Sequence, residues 1–215
     1  MFAKILSILY PPKCILCKEL LTKEETDLCQ NCRKQAKEFK KSKRNIPFVA
    51  RWTALWYYRD DVKKSIRRFK FYGARHYGPA YGRLLGMKIL KDYPDGFDVV
   101  TWVPVGFLRK LKRGYDQSRI LAAFTAEELG YEPTPLLKKI RNTPPQSGIR
   151  DAAKRRANVL GAYQVICKEA VAGKRILLLD DVITTGATCS ECARMLMTAG
   201  AKEVSCAAVA AATQK

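Results

Sequence analysis

Two adjacent carboxylates, Asp180 and Asp181, follow the apolar run at residues 175–179. A continuous apolar run that ends in acidic residues indicates a buried parallel strand with the two side chains at its carboxyl end. Because open α/β sheets bind ligands beyond the carboxyl ends of their strands, this position predicts a ligand site. Carboxylate oxygens are suited to accept hydrogen bonds from neighbouring hydroxyl groups of a sugar.

The turn after the aspartates has the residue types of a phosphate cradle, and a helix is predicted directly after it. The residues of this turn are Thr184, Thr185, Gly186, Ala187 and Thr188. Backbone N–H groups, three hydroxyls and a positive helix end together suit a phosphate dianion. Glycine lets the backbone approach the ligand closely. A carboxylate pair followed by such a turn describes a site for a ribose 5-phosphate.

Four cysteines near the N-terminus form two Cys-x-x-Cys pairs separated by eleven residues. They are Cys14, Cys17, Cys29 and Cys32. Two such pairs can place four thiolates around one ion, and Zn²⁺ is the natural occupant in a reducing compartment. Disulfides or an iron–sulfur cluster are the alternatives. A closed four-cysteine site has no open coordination position, so the zinc would be structural.

A further Cys-x-x-Cys pair, Cys189 and Cys192, lies within the helix predicted after the phosphate turn. At this spacing both thiols face the same side of the helix, which favours packing against the sheet over a redox pair. A helix N-terminus lowers thiol pKa values, so the redox alternative stays open.

The composition restricts the chemistry. His76 is the single histidine, which excludes most histidine-dependent triads and multi-histidine metal sites. With 40 Lys and Arg against 20 Asp and Glu, the net charge is +20. This excess attracts nucleic acid, anionic lipid or phosphorylated metabolites, although a merely solvated basic surface is also compatible with it.

No apolar stretch reaches the ~18 residues that a membrane span needs. Residues 1–10 lack the apolar region and the cleavage site of a signal peptide. We therefore expect the protein in the cytoplasm, where its thiols stay reduced.

The chain divides into two predicted units, a cysteine module with a basic linker (1–44) and an α/β domain (45–215). Strands are predicted over 49–58, 97–105, 175–179 and 204–211. Helices are predicted over 62–71, 77–90, 119–129 and 187–199. Residues 33–44 are predicted as an exposed helix or linker, 109–113 as a basic loop, and 141–157 as helical only in their second part. Alternating strands and helices predict a parallel sheet with right-handed crossovers.

Residues 177–188, Leu-Leu-Leu-Asp-Asp-Val-Ile-Thr-Thr-Gly-Ala-Thr, resemble the phosphoribosyl-pyrophosphate (PRPP) signature of type I phosphoribosyltransferases. The resemblance implies an α/β fold with a parallel sheet flanked by helices. It also implies that Asp180 and Asp181 are catalytic residues that bind the ribose hydroxyls, and that residues 184–188 bind the 5-phosphate. The Gly-x4-Gly-Lys-Ser/Thr pattern of nucleoside triphosphatases is absent from the sequence.

Two further segments, together with the cysteines, are similar to ComF-type competence proteins, which have an N-terminal four-cysteine zinc ribbon. Residues 113–118, Arg-Gly-Tyr-Asp-Gln-Ser, resemble that family's Arg-Gly-Phe-Asn-Gln-Ser element, and residues 141–163 resemble its second block. The resemblance implies that Arg113, Gln117 and Ser118 bind the ligand. Tyr115 and Asp116 stand where the family more commonly has Phe and Asn.

Several basic side chains and one glutamine are candidates for contact with a pyrophosphate. They are Arg109, Lys110, Lys112 and Arg113, which follow a predicted strand end, and Arg141, Gln146 and Arg150, which could close over the ligand from a mobile loop. The alternative is a solvated basic loop. Arg67, Arg68 and Lys70 are interpreted as a solvated helix face rather than as part of a site.

Family resemblance associates the protein with natural transformation, and thus with imported single-stranded DNA and other competence-machinery proteins. Mg²⁺ would accompany PRPP, held mainly by the ligand's own oxygens. Seven aromatic residues near cations could stack on bases, although their spacing favours core packing. They are Trp52, Trp56, Tyr57, Tyr58, Phe69, Phe71 and Tyr72. Three hypotheses stay open: a PRPP-binding competence protein with or without catalysis, a salvage phosphoribosyltransferase, and a ligand-sensing adaptor without enzymatic activity.

Overall fold

A four-stranded parallel sheet lies at the centre of the computed structural model, which describes residues 11–40, 42, 44–143 and 151–213. The strands of the chain are β1 (Arg51–Tyr57), β2 (Val99–Trp102), β3 (Leu137–Lys139), β4 (Tyr163–Val165), β5 (Arg175–Ile183) and β6 (Glu203–Ala211). The central sheet has the order β1-β6-β5-β2, while β3 and β4 form a separate antiparallel pair. The predicted parallel sheet is confirmed.

Helices cover both faces of this sheet. They are α1 (Gln30–Gln35), α2 (Asp60–Phe71), α3 (Gly78–Asp92), α4 (Phe107–Arg113), α5 (Gln117–Glu128), α6 (Ala152–Val159) and α7 (Ala187–Thr198). One apolar core joins α2, α3 and α5 to one face of the sheet, and a second core joins α7 and residues 39–49 to the other. Because both faces are covered, β5 and β6 are apolar along most of their length.

Three sequence predictions need correction. The predicted loop 109–113 is part of α4, because Gly106 precedes that helix and Gly114, at φ 73°, ends it in the left-handed conformation. Residues 33–44 were predicted as an exposed helix or linker, but the helix ends at Gln35, and the Phe39 N–H then donates to the Leu55 carbonyl at the edge of β1. Strand β5 continues four residues beyond the predicted end at residue 179, because it pairs with β6 as far as Ile183.

The cysteine module packs against α2 and α3. Arg68 donates to the carbonyls of Ile15 and Leu16 at 3.0 and 2.5 Å, and Arg83 pairs with Asp27 at 2.5 Å. The cysteines share the apolar core of α2 and α3, so the module and the sheet domain bury one continuous surface. In the part of the chain that the structure describes, no helix has the length and apolar character needed to cross a bilayer.

Candidate functional site

The Asp181 carboxylate is held by side chains from two helices. Lys70, at the end of α2, lies 2.8 Å from Asp181 Oδ1, and Gln117, at the start of α5, donates to Asp181 Oδ2 at 3.0 Å. The Lys70 side chain is only 20% exposed and that of Asp181 6%. The interpretation of Arg68 and Lys70 as a solvated helix face is therefore wrong, whereas Arg67 is exposed as expected.

Asp180 points to the opposite face of the sheet from Asp181, because successive side chains of a strand alternate. Its Oδ1 accepts a hydrogen bond from the Asp181 backbone N–H at 2.8 Å. Burial, reinforced by the charge of Asp181 and opposed by that of Lys70, raises the pKa of Asp180 well above its ordinary value. The two carboxylates therefore differ: Asp181 has Lys70 beside it, whereas Asp180 is buried and no cation of the described residues forms an ion pair with it.

Residues 184–188 form the turn between β5 and α7. Gly186 has φ 82°, and a Cβ there would come within 2.8 Å of the Ile46 side chain, so glycine is required on both counts. Thr185 Oγ1 accepts from the backbone N–H of Ala187 at 3.4 Å. The positive end of a twelve-residue helix thus lies directly after the acidic strand end. We call Asp180, Asp181 and residues 184–188 the acidic edge.

Arg44 reaches the acidic edge from the segment that follows the cysteine module. Its Nη1 donates to the Thr184 carbonyl at 2.5 Å, and its guanidinium lies 4.3 Å from the Trp52 ring centroid. Sequence reasoning missed this residue, since no local pattern connects positions 140 residues apart.

The segment 113–118 lies beside Asp181. The guanidinium of Arg113 stacks 4.7 Å from the Phe71 ring centroid. Burial lowers the pKa of Arg113, while the charge of Asp181 opposes that shift. Ser118 is buried on α5. Gln117 and Arg113 are therefore brought to the carboxylate, whereas no hydrogen bond of the Ser118 side chain is seen within the described residues.

The two departures from the family pattern have structural partners. Asp116 caps α5 by accepting from the Arg119 N–H at 3.0 Å, and it also accepts from the Val105 N–H at 3.4 Å. Tyr115 donates its hydroxyl hydrogen to the Phe69 carbonyl. Aspartate serves as a cap acceptor as well as asparagine does, although burial raises its pKa.

A second group of cations lies on the Asp180 side of the sheet. Arg109 donates to the Thr143 carbonyl at 2.6 Å, and Lys139 donates to Thr143 Oγ1 at 2.9 Å. Burial, together with the charge of Arg109, lowers the pKa of Lys139 to about 8, and Asp180 acts in the opposite direction. The sequence analysis did not single out Lys139. Its position two residues before Arg141, in a segment predicted to approach the ligand, could have indicated it.

The remaining candidate side chains make their contacts elsewhere, are exposed, or lie outside the described residues. Arg141 donates to the carbonyls of Leu160 and Asn158, which ties it to the end of α6. Lys110 and Lys112 are exposed on α4. Gln146 and Arg150 lie outside the described residues.

The four N-terminal cysteines meet in one cluster, with all four Sγ atoms within 4.8 Å of one another. Cys17 Sγ lies 3.6 Å from Cys29 Sγ, close to the ~3.8 Å that tetrahedral zinc–thiolate geometry requires. The Cys32 N–H points to Cys29 Sγ at 3.4 Å, a bond that stabilises a thiolate. These donors fit a closed zinc site.

The Cys189–Cys192 pair is part of the core. Both thiols are buried beside Cys206, and their pKa values are raised, that of Cys189 by hydrogen bonding to Cys206 and by burial and that of Cys192 by burial. The packing interpretation is confirmed, because a buried thiol with a raised pKa is a poor redox nucleophile.

Comparison with known proteins agrees with this arrangement. Residues 5–43 match the Double zinc ribbon domain, and residues 116–215 match the Phosphoribosyl transferase domain. Competence protein F of Haemophilus influenzae is 26% identical over 216 residues, which cover 89% of this chain and 93% of that protein.

Two further relatives have related names. Competence protein ComFC of Streptococcus pneumoniae is 30% identical over 190 residues, covering 87% of this chain and 77% of that protein. The DNA utilization protein YhgH of Salmonella typhimurium is 28% identical over 155 residues, covering 68% of this chain and 66% of that protein. The chain thus belongs to the ComF/ComFC family of competence proteins, in which a phosphoribosyltransferase-like domain follows an N-terminal zinc ribbon.

Proposed function

We propose that this protein binds PRPP with Mg²⁺ at the acidic edge and handles imported single-stranded DNA in the cytoplasm during natural transformation. The observation that carries the PRPP part is the ion pair of Asp181 with Lys70, supported by Gln117, directly before an anion-binding turn. A carboxylate fixed in this way can accept hydrogen bonds from ribose hydroxyls while the turn binds the 5-phosphate.

The charges around the acidic edge fit the rest of the ligand. Arg113 lies on the Asp181 side, and Arg109 and Lys139 lie on the Asp180 side, where they can meet a pyrophosphate. Because both Asp181 oxygens already have protein partners, Mg²⁺ would be held mainly by oxygens of the ligand. If transfer occurs, bound Mg²⁺ would stabilise the departing pyrophosphate, and the Asp181 carboxylate would favour the positive charge that develops on the ribose.

Exposed aromatic and basic side chains next to the acidic edge support the DNA part. Phe71, Tyr72 and Phe107 are 58, 70 and 71% exposed, so core packing is the wrong interpretation for Phe71 and Tyr72, while it is confirmed for the buried Trp56 and Phe69. Stacking platforms between cations are typical of single-stranded nucleic-acid binding. The net charge of +20 and the names of the relatives agree with it, and contact with other competence-machinery proteins follows from the same proposal.

The PRPP part is tested by thermal denaturation with and without PRPP and Mg²⁺. PRPP should raise the Tm of the wild type, and the double variant Asp180→Ala/Asp181→Ala should lose the rise. Asp61→Ala, on the exposed part of α2, is the control and should keep it. An equal rise in the double variant would contradict the site assignment.

The DNA part is tested by fluorescence anisotropy with a single-stranded oligonucleotide at increasing salt. Removing Phe107, Lys110 and Lys112 together should weaken binding about tenfold and reduce the salt slope. No binding of the wild type at low salt would contradict the proposal. Incubation of PRPP with free bases or with single-stranded DNA then separates an enzyme, which releases pyrophosphate, from a binder, which does not.

A further inference from the structure

A cavity of about 650 Å³ lies beside the N-terminal half of β1, between residues 38–40, 42 and 44–50 on one side and the end of α3 on the other. None of the residues of the acidic edge lines it. Its volume is within the range of small-molecule sites, roughly 300–1,000 Å³. Neither the zinc ribbon nor the PRPP proposal accounts for it.

The cavity has an excess of positive charge. Five cations and two carboxylates line it: Lys40, Arg44, Arg51, Lys88 and Lys91, with Glu38 and Asp92. Lys88 Nζ contacts both carboxylates, at 2.9 Å from Glu38 and 3.3 Å from Asp92. Arg51 pairs with Asp95 and Glu203, which do not line the cavity.

Three of these cations, Lys40, Arg44 and Lys91, have no carboxylate oxygen within ion-pair distance among the described residues. Residues outside the described ranges cannot supply a side-chain carboxylate, because every Asp and Glu of the sequence lies within those ranges. Three positive charges around one concave space favour an anion with at least two negative charges.

Arg44 also has unsatisfied hydrogen-bonding groups. Its Nη1 is bonded to Thr184, but its Nε and Nη2 are buried and have no hydrogen-bond partner within the described residues. Burial of charged donors without acceptors is costly, so such groups in a native protein call for an acceptor. Phosphate oxygens match the fork geometry of a guanidinium, as carboxylate oxygens do, and a phosphate monoester also carries a second negative charge.

Aromatic side chains form another part of the wall. Phe39, Trp52 and Tyr93 line the cavity, and the Phe39 and Trp52 rings lie 5.0 Å apart. Phe39 and Tyr93 are buried, whereas Trp52 is partly exposed and has the Arg44 guanidinium 4.3 Å from its ring centroid. An aromatic surface beside a cation suits a ligand that combines a planar ring with a phosphate. Inorganic phosphate alone would leave this apolar surface unused.

We infer that this cavity binds a nucleoside monophosphate, with its phosphate between Lys40, Arg44 and Lys91 and its base against the exposed part of Trp52. The same chemistry is presented by a free nucleotide and by the phosphorylated end of a single-stranded DNA. The inference goes beyond the PRPP site and does not depend on it.

Isothermal titration with dAMP, inorganic phosphate and a 5′-phosphorylated (dA)₁₀ tests the inference. The double variant Lys40→Met/Lys91→Met, which removes two exposed side chains, should bind dAMP at least about tenfold more weakly. Lys138→Met, at an exposed lysine of β3, is the matched control and should bind like the wild type. Arg44→Met should show the largest loss, and the double variant keeps the test valid if Arg44→Met does not fold.

The outcomes distinguish a free nucleotide from a DNA end as the ligand, and they distinguish the cavity from the acidic edge as its binding site. Binding of dAMP supports a free nucleotide, and binding of the oligonucleotide alone, lost in the double variant, supports a DNA end. The Asp180→Ala/Asp181→Ala variant should still bind dAMP, whatever it does with PRPP. The inference is overturned if neither probe binds, if Lys138→Met loses as much, if the aspartate variant loses dAMP, or if inorganic phosphate binds as tightly as dAMP.

Discussion

The four-cysteine cluster and the acidic edge differ in how the chain assembles them. All four thiols of the cluster come from residues 14–32, and they converge on one another. The acidic edge instead combines β5 with Lys70, Gln117 and Arg44, which lie far apart in the sequence. The cluster is closed and has the donors of a structural ion, whereas Thr184, Thr185 and Thr188 of the acidic edge are partly exposed. Local spacing therefore defines the first site, and tertiary packing defines the second.

The largest effect is expected from loss of the metal cluster. Cys29→Ser should abolish the bound zinc, about one ion per chain in the wild type, and lower stability by more than about 3 kcal/mol, because metal binding contributes directly to folding. Cys167→Ser, at an exposed cysteine, should change neither quantity. Elemental analysis and denaturant unfolding measure both. A wild-type protein that is folded without metal would contradict the assignment of the cysteine cluster as a structural zinc site.

A smaller effect is expected from the ion pair of the acidic edge. Lys70→Met leaves Asp181 buried without its cation and should cost about 2–3 kcal/mol, with a clear loss of PRPP affinity. Lys64 makes a similar ion pair on the same helix, at 2.9 Å from Asp61, but these side chains are 71 and 41% exposed. Lys64→Met should therefore cost less than about 0.5 kcal/mol. Equal losses in urea unfolding would show that burial does not distinguish the two pairs.

The smallest effect is expected at Asp180, where a substitution should raise the free energy of unfolding instead of lowering it. Its folded-state pKa is raised, so the wild type loses stability as the pH rises from the ordinary value of 3.8 towards about 8. Asp180→Asn cannot ionise and should gain about 1 kcal/mol at pH 8, with little gain at pH 4. The same variant should bind PRPP more weakly. Unfolding at the two pH values checks the sign, and a loss of stability at pH 8 would contradict the raised pKa.

The sequence was informative wherever a physical signal is local. The cysteine spacing identified the cluster, and the apolar run before Asp180 identified the central strand, because burial on both faces removes polar residues. The end of that strand was wrong because its length depends on the pairing with β6. The helix at 107–113 was missed because its many basic residues suggested a loop, although the two flanking glycines are typical helix-end residues.

The contacts of the acidic edge were less predictable. Lys70 has the sequence context of a solvated helix face, and only the position of α2 against β5 brings it to Asp181. Arg44 lies in a basic linker that has no helical or strand pattern. In both cases the contact depends on how distant segments pack against each other in the fold, and no local sequence pattern reports that packing.

Helix α2 connects the two regions compared above. Arg68 holds the carbonyls of the cysteine module, and two residues later Lys70 holds Asp181. If zinc and PRPP bind at these two sites as proposed, a shift of this helix would change both sites, and the binding of the two ligands would be thermodynamically linked. If zinc changes the affinity for PRPP by some factor, then PRPP must change the affinity for zinc by the same factor. The amount of free zinc would in that case set the concentration range of PRPP to which the protein responds.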